Sequence, residues 1–158
     1  MARIIHKFAA ILTLSLLPVA AFAEAQSYLH YARVSNVTES GFSSLTNDLV
    51  LRTYGRSPSG YTVPNGYRVV KQTRNLCVEE IDTQLVHLVE VIFENAEEVG
   101  SYSGRSIMAK IKVAGVDWYT VTKRGEIVNR WNKVRRLTPG DYNLLSEHFA
   151  AIVETSDC

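Results

Sequence analysis

The feature that most constrains the fold is a stretch, residues 83–99, whose apolar side chains lie on one helical face. Apolar positions recur there at steps of three and four residues: Leu85, Leu88, Val89, Ile92, Phe93, Ala96 and Val99. Asp82 stands where an N-cap is expected, and Gly100 stands where the helix would end. The other face is acidic and suits contact with water, so only the apolar face needs to be covered by a sheet. The sequence therefore predicts a helix over residues 83–99 that lies on a sheet.

Three segments with strand character follow this helix. Residues 107–113 alternate with a period of two, and residues 117–122 are rich in aromatic and β-branched side chains. Gly115 predicts a turn between these segments. Residues 123–126 predict a second turn, since Gly125 adopts positive φ without strain, and residues 126–131 then return as a third strand.

The first half of the chain is less regular. Residues 24–37 fit either a helix or a strand, whereas residues 41–54 favour a helix that ends at Gly55. Glycine, proline and asparagine cluster in residues 55–66, which predicts a loop. Tyr67–Val78 has the alternation of a strand.

The last helix has a start signal in Thr138-Pro139-Gly140-Asp141, where threonine caps, proline enters the first turn and Asp141 completes a capping box. Its buried stripe is predicted to consist of Tyr142, Leu145, Phe149 and Ile152.

The order of elements indicates the α+β class, an antiparallel sheet with helices packed on one face in a single small domain. The length of 158 residues, with 46% hydrophobic and 21% charged side chains, suits one globular domain and excludes a disordered or collagenous chain.

The first 23 residues have the pattern of a secretory signal peptide. Arg3, His6 and Lys7 form a basic start, residues 8–17 are an apolar run, and Ala21-Phe22-Ala23 offers a cleavage site. The apolar run is shorter than the roughly 20 residues that span a bilayer. We therefore expect an exported protein, periplasmic or secreted, whose α+β domain is residues 24–158, with no later membrane span.

Two cysteines, Cys77 and Cys158, remain after the expected cleavage. An even number of cysteines in an exported chain predicts a disulfide bond. Such a bond would close a loop of about 80 residues and contribute roughly 4 kcal/mol. The alternatives are a buried free Cys77 and an intermolecular bridge through Cys158.

Charge is distributed unevenly along the chain. Residues 82–98 contain five acids and no base, and residues 137–158 contain four acids and no base, whereas residues 105–136 contain nine bases and two acids. The signal peptide removes two bases from a total of 17 against 16 acids, so the mature chain has a net charge of −1. This net charge argues against nucleic acid as the partner.

The basic segment also carries aromatic side chains, which is the composition of a surface that binds an acidic partner. The candidate contact residues are Lys110, Lys112, Trp118, Tyr119, Lys123, Arg124, Arg130, Trp131, Lys133, Arg135 and Arg136. The partner would be an acidic protein surface, an anionic glycan or an envelope component, and a role in secretion, virulence or the envelope would suit an exported protein. Three alternatives stay open: the acidic helices face these bases within the molecule, the lysines form a solvated face of the sheet, or the tryptophans belong to the core or to cross-strand packing.

No motif predicts a catalytic, metal or cofactor site. His87, Glu90 and Glu94 share a helical face, which indicates a solvated polar face, and no G-x-S-x-G, Walker glycine loop or C-x-x-C is present. We favour a non-enzymatic binding module. The alternative is a small secreted hydrolase in which His30, His87 or His148 works with a carboxylate.

Residues 112–119, Lys-Val-Ala-Gly-Val-Asp-Trp-Tyr, resemble the first inhibitory hairpin of the cystatins, which follows a long helix and has a Gln-x-Val-x-Gly core. Ile111 stands where that core has glutamine, and the second loop's Pro-Trp pair is missing. The resemblance implies inhibition of papain-type proteases as a minor alternative.

Overall fold

A computed structural model of the protein describes residues 26–54 and 75–155, with side chains in the first range described up to Thr46. The elements in chain order are β1 (Ser27–Ala32), α1 (Glu39–Tyr54), β2 (Leu76–Ile81), α2 (Thr83–Asn95), β3 (Glu97–Glu98), β4 (Ile107–Val113), β5 (Val116–Thr122), β6 (Glu126–Asn129), β7 (Val134–Arg136) and α3 (Pro139–Thr155). Four predictions fall outside the described residues, wholly or in part: the signal peptide of residues 1–23, the loop of residues 55–66, most of the strand Tyr67–Val78, and the disulfide partner Cys158.

The seven strands form one antiparallel sheet in the order β2-β1-β4-β5-β6-β7-β3. This confirms the α+β class and the antiparallel sheet. The ambiguous segment 24–37 contains strand β1, which pairs with both β2 and β4. None of the helices in the described part of the chain has the length and apolarity to cross a membrane.

The main core lies between the sheet and two helices, α2 and α3. Side chains of both helices, such as Val89, Phe93 and Phe149, pack there against Ile111 and Val121 of the sheet. The predicted arrangement of helices on one face therefore holds for α2 and α3. Helix α1 places Phe42 in a second cluster on the opposite face.

Both caps read from the sequence are present. Asp82 accepts a hydrogen bond from the Leu85 backbone N–H at 2.9 Å and starts α2. The Thr138 hydroxyl accepts the Asp141 N–H at 3.1 Å and donates to the Asp141 carboxylate at 2.9 Å, ahead of α3. These bonds satisfy backbone donors that have no partner inside the helix, and they fix where each helix begins.

Helix α2 ends at Asn95, earlier than the predicted residue 99. Ala96 has extended backbone angles, and residues 97–98 form strand β3 instead of the last helical turn. In the register of β3 and β7, Glu97 lies opposite Arg136 and Glu98 opposite Arg135. Strand pairing between opposite charges replaces the helical hydrogen bonds that these residues would otherwise make.

Two bulges set which side chains face which side of the sheet. Met108 is an extra residue in β4, and Trp118 is an extra residue in β5. Because side chains alternate along a strand, each extra residue reverses the faces of the residues beyond it. The bulge at Trp118 places Asp117 opposite Lys112, on the same face as Lys110.

The hairpin between β4 and β5 turns through two residues that both have positive φ, Ala114 at 50° and Gly115 at 79°. This is the backbone of a type I′ turn, for which asparagine followed by glycine is the favoured pair. Alanine is strained in this region because its Cβ approaches the next carbonyl oxygen.

We expect Ala114→Asn to raise the free energy of unfolding by about 0.5–1 kcal/mol, since asparagine tolerates positive φ better than alanine. Gly115→Ala should lower it by about 1 kcal/mol for the converse reason. Urea denaturation followed by circular dichroism measures both changes. Equal stability of the Ala114→Asn variant and the parent would contradict a strained alanine at this turn.

Candidate functional site

A buried lysine lies at the centre of a cluster of charged side chains. Lys110, in the middle of β4, is 7% exposed. Its Nζ lies 2.7 Å from Glu39 Oε2 at the start of α1 and 3.0 Å from Asp117 Oδ2 in β5. Lys112 Nζ lies 2.6 Å from the other Asp117 oxygen. Two lysines and two carboxylates thus balance each other across β4, β5 and α1.

Tyr102 extends this charged network from a segment that connects β3 to β4, residues 99–106. Its hydroxyl donates a hydrogen bond of 2.6 Å to Glu39 Oε1, the oxygen that Lys110 does not contact. Burial, together with the hydrogen bond and charge of Glu39, raises the pKa of Tyr102 far above its ordinary value. The phenol therefore stays protonated and serves as a fixed donor. We call Glu39, Tyr102, Lys110, Lys112 and Asp117 the ionic network.

Lys110 and Asp117 hold their charges over the physiological pH range. Burial alone lowers the pKa of Lys110, but the Glu39 hydrogen bond and the Asp117 carboxylate outweigh it, so the pKa is raised. Burial raises the pKa of Asp117, but Lys112 and Lys110 outweigh it, so the pKa is lowered. Acid–base catalysis favours a group whose pKa lies near the working pH. These two groups instead form a fixed electrostatic framework.

His30 lies beside this framework in β1, opposite Lys110 in the register of β1 and β4. It is 1% exposed. Burial, followed by the positive charges of Lys112 and Lys110, lowers the pKa of His30 to about 3, although Asp117 opposes the shift. The imidazole is therefore neutral at physiological pH, as a buried group between two lysines must be.

A second arrangement lies at the loop between β6 and β7. The Arg130 guanidinium contacts two indole rings, with Cζ 4.9 Å from the ring centre of Trp118 and 4.6 Å from that of Trp131. Both contacts are within the range of a cation–π interaction. Trp131 is 65% exposed, so the stack lies at the surface. We call Trp118, Arg130, Trp131 and Lys133 the Arg130 surface.

The Asn129 side chain fixes this loop. Its Oδ1 accepts the backbone N–H of Trp131 at 3.1 Å and that of Lys133 at 2.9 Å. Asn132 takes positive φ, 59°, a conformation that asparagine adopts more readily than most residues. The loop therefore holds Arg130 and Trp131 in place through its own hydrogen bonds.

A cavity of about 300 Å³ lies between the Arg130 surface and the ionic network. Lys110 and Asp117 line one part of it, and Arg130 and Asn132 line another. Thr120 is also part of its lining. The cavity thus brings the loop arginine and the buried charges into one polar site.

The predicted contact residues are divided by the structure into exposed and internal groups. Lys112 and Arg135 are half-buried and paired with acids; Arg135 Nη1 donates to the Glu94 carbonyl at 2.7 Å and its Cζ lies 4.8 Å from the Phe93 ring centre. Tyr119 is in the core, with its ring centre 5.6 Å from that of Phe93. Trp118 is half-buried against the core and Lys110 is buried. The exposed members are Lys123, Arg124, Arg130, Trp131, Lys133 and Arg136.

The alternative that acidic segments face the basic strands within the molecule therefore describes part of this set. Arg135 forms an ion pair with Glu94. In the register of β3 and β7, Glu97 lies opposite Arg136 and Glu98 lies opposite Arg135. Lys123 and Arg124 lie in the turn between β5 and β6, at the other end of the hairpin from Arg130. The exposed bases are thus split between two ends of the sheet.

Sequence reasoning missed Glu39, Tyr102, Asp117, Thr120 and Asn132 as members of this site. The sequence contains one signal for a charged cluster, which is the pair of lysines on one side of the otherwise apolar strand β4. Such lysines require acidic partners if the strand is central in the sheet. The identity of those partners was not available, because Glu39 lies 71 residues from Lys110 in the chain.

The two other histidines of the described residues lie elsewhere. His87 is exposed on α2, 3.4 Å from Glu90, which agrees with a solvated polar face. His148 is exposed on α3 and lines a groove of about 470 Å³ together with Glu80 and Asp82. Within the described ranges, no three His, Cys, Asp or Glu side chains are grouped as metal ligands would be.

Comparison with protein families, with curated proteins and with solved structures gives no match.

Between pH 6.5 and 4.5 we expect His30 to reduce stability by about 1.4 kcal/mol for each unit that the pH falls. The unfolded chain gains a proton on His30 near pH 6.5, whereas the folded chain resists it down to about pH 3. Urea denaturation at several pH values should give a shallower slope for His30→Gln than for the parent.

His148→Gln, which replaces an exposed histidine, is the matched control and should keep the parent's slope. If His30→Gln has the same pH dependence as the parent, the buried histidine is not neutral in the folded protein.

Proposed function

We propose that this protein is an exported binding module that contacts an acidic protein through the Arg130 surface. The observation that carries the proposal is the contact of one exposed arginine with two indole rings, 4.9 and 4.6 Å from its Cζ. Arginine and tryptophan are the residue types that contribute most to binding energy at protein interfaces. Here they adjoin on a loop that the sheet and Asn129 hold in place.

The charges around Arg130 support this assignment. None of the ion pairs between described residues involves Arg130, whereas Lys110, Lys112 and Arg135 all have acidic partners. The guanidinium N–H groups of Arg130 are not paired with an acid of the described residues and can donate to an acidic group of a partner. An acidic partner would be steered by this charge and would cover Trp131 on docking.

Rigidity is a further support. A loop that is already ordered loses little conformational entropy when a partner binds. The two hydrogen bonds to Asn129 Oδ1 and the contacts of Arg130 with the indoles supply that order before binding. The Arg130 surface thus differs from a scatter of solvated lysines.

Retention on a poly-L-glutamate resin tests the proposal with protein of residues 24–158. We expect the double variant Arg130→Glu/Lys133→Glu to elute at much lower salt than the parent. The matched control, Lys123→Glu/Arg124→Glu, changes the formal charge equally at the other end of the hairpin and should keep most of the retention. A heparin resin run in parallel tests an anionic glycan as the partner.

Equal losses in the two double variants would mean that total charge, and not the Arg130 surface, controls retention. Passage of the parent through the resin without retention would overturn the proposal as well. Retention on heparin but not on poly-L-glutamate would assign the surface to a glycan instead of an acidic protein.

Export leads to a second proposal, the disulfide bond between Cys77 and Cys158. Cys77 is buried in β2, opposite Tyr31, whose side chain packs against the core on the α3 side of the sheet. Helix α3 contacts β2 and ends at Thr155, three residues before Cys158. The contact between α3 and β2, with Cys158 three residues beyond the end of α3 in the chain, supports an intramolecular bridge.

Cys158→Ser is expected to lower the free energy of unfolding by roughly 4 kcal/mol, the entropy of a loop of this length. Reduction should lower the free energy of unfolding of the parent by the same amount. Reduction of the variant should not change its free energy of unfolding. Mass spectrometry of unreduced peptides identifies the linked cysteines. Two titratable thiols, or a dimer that disappears on reduction, would contradict the intramolecular bridge.

The hydrolase with a His–carboxylate site and the cystatin-like inhibitor stay predictions. Loss of hydrolysis in His148→Ala would identify the former, and inhibition of papain by the protein of residues 24–158 would identify the latter.

A further inference from the structure

We propose that the cavity beside Arg130 is a binding site for a single carboxylate group. The inference deepens the proposed function and rests on it, because Arg130 belongs both to the docking surface and to the cavity lining. The carboxylate is either an acidic side chain of the partner protein or a small free acid. Both have the same chemistry at the site.

Arg130 is the group that would bind it. Its Cζ lies 4.9 and 4.6 Å from the centres of two indole rings, and aromatic contacts of this kind leave the N–H groups of a guanidinium able to donate hydrogen bonds. Those N–H groups match the two oxygens of a carboxylate in a bidentate pair. No acidic side chain in the described part of the chain forms an ion pair with Arg130.

The charge of the site selects a monoanion. Lys110 in the lining and Lys112, which contacts Asp117 from outside the lining, balance Glu39 and Asp117. Arg130 then adds one net positive charge. A carboxylate neutralises that charge. A sulfate or phosphate dianion would bring an excess negative charge close to Glu39 and Asp117, which line the same cavity.

The cavity also fits the rest of such a ligand. Its volume of about 300 Å³ is several times that of a carboxylate group and leaves room for a short carbon chain. Val128 supplies an apolar surface for that chain, and the Thr120 hydroxyl lies among the lining groups as a further donor. An aspartate or glutamate side chain, or an acid of similar size, has these dimensions.

Titration with sodium acetate, followed by nuclear magnetic resonance of the protein of residues 24–158, tests the proposal. The Arg130 Nε–H signal and the indole N–H signals of Trp118 and Trp131 should shift and saturate. Sodium sulfate at equal ionic strength should give no saturation. In Arg130→Gln the acetate affinity should fall at least tenfold, and in the control Lys123→Gln it should not change.

A second variant separates the cavity from the arginine alone. Thr120→Ile keeps a β-branched side chain in the strand but fills part of the cavity, so it should lose acetate saturation while the Trp118 and Trp131 signals of the free protein stay in place. Unchanged acetate binding in this variant would place the anion outside the cavity and overturn the proposal.

The two sources of the carboxylate are distinguished by a blocked Gly-Glu-Gly peptide. Displacement of acetate by this peptide identifies a partner's side chain, whereas binding of acetate without such displacement identifies a small free acid. Either result supports a carboxylate site. Saturation by sulfate at the same signals, or no saturation by acetate, overturns it.

The outcomes also separate this inference from the docking surface. If poly-L-glutamate retention depends on Arg130 and Lys133 but acetate does not saturate, the docking surface stands and the carboxylate site is wrong. If acetate saturates in an Arg130-dependent manner but retention is indifferent to Arg130→Glu/Lys133→Glu, the cavity stands and the docking surface is wrong.

Discussion

One extra residue in strand β5, Trp118, determines the arrangement on which the rest of the site depends. A regular strand would place Asp117 on the same face as Tyr119, in the apolar core beneath α2 and α3. The bulge instead sets Asp117 opposite Lys112 and within 3.0 Å of Lys110. The bulged residue itself contacts Arg130 with its indole ring. A single irregularity thus builds both the ionic network and the Arg130 surface.

Burial of Lys110 is tolerated because its charge has two partners at once. Removing a charged ammonium from water costs several kcal/mol, and attraction to one exposed carboxylate would not offset that cost. Glu39 and Asp117 both contact it, and the Phe42 ring centre lies 5.5 Å from its Nζ. The same contacts hold the start of α1 to the sheet. The network therefore supplies position and orientation more than net stability.

The regular elements could be predicted from sequence because their signals are local. The apolar stripe of residues 83–99 and the two capping motifs lie within a few positions of the contacts they specify, and so does the alternation in residues 107–113. The bulge could not be predicted, since nothing in β5 shows which residue the partner strand leaves out. Residues 97–98 form strand β3 instead of the last turn of α2 because they pair with Arg135 and Arg136, about 40 residues later. The ion pair of Lys110 depends on Glu39, which lies far earlier in the chain.

The division of the basic residues follows from their place on strands or loops. A strand in the middle of a sheet removes its side chains from water, so Lys110 required acids within the molecule. Arg135, which lies near the edge of the sheet, contacts the backbone carbonyl and the carboxylate of Glu94. A loop imposes no such requirement, and Arg130 is exposed, with its guanidinium in contact with the rings of Trp118 and Trp131. The structure therefore separates the predicted basic set into side chains paired with acids within the molecule and exposed side chains, among which Arg130 contacts two indole rings. A guanidinium held in this way has a fixed orientation, and its planar N–H groups favour an anion of matching geometry.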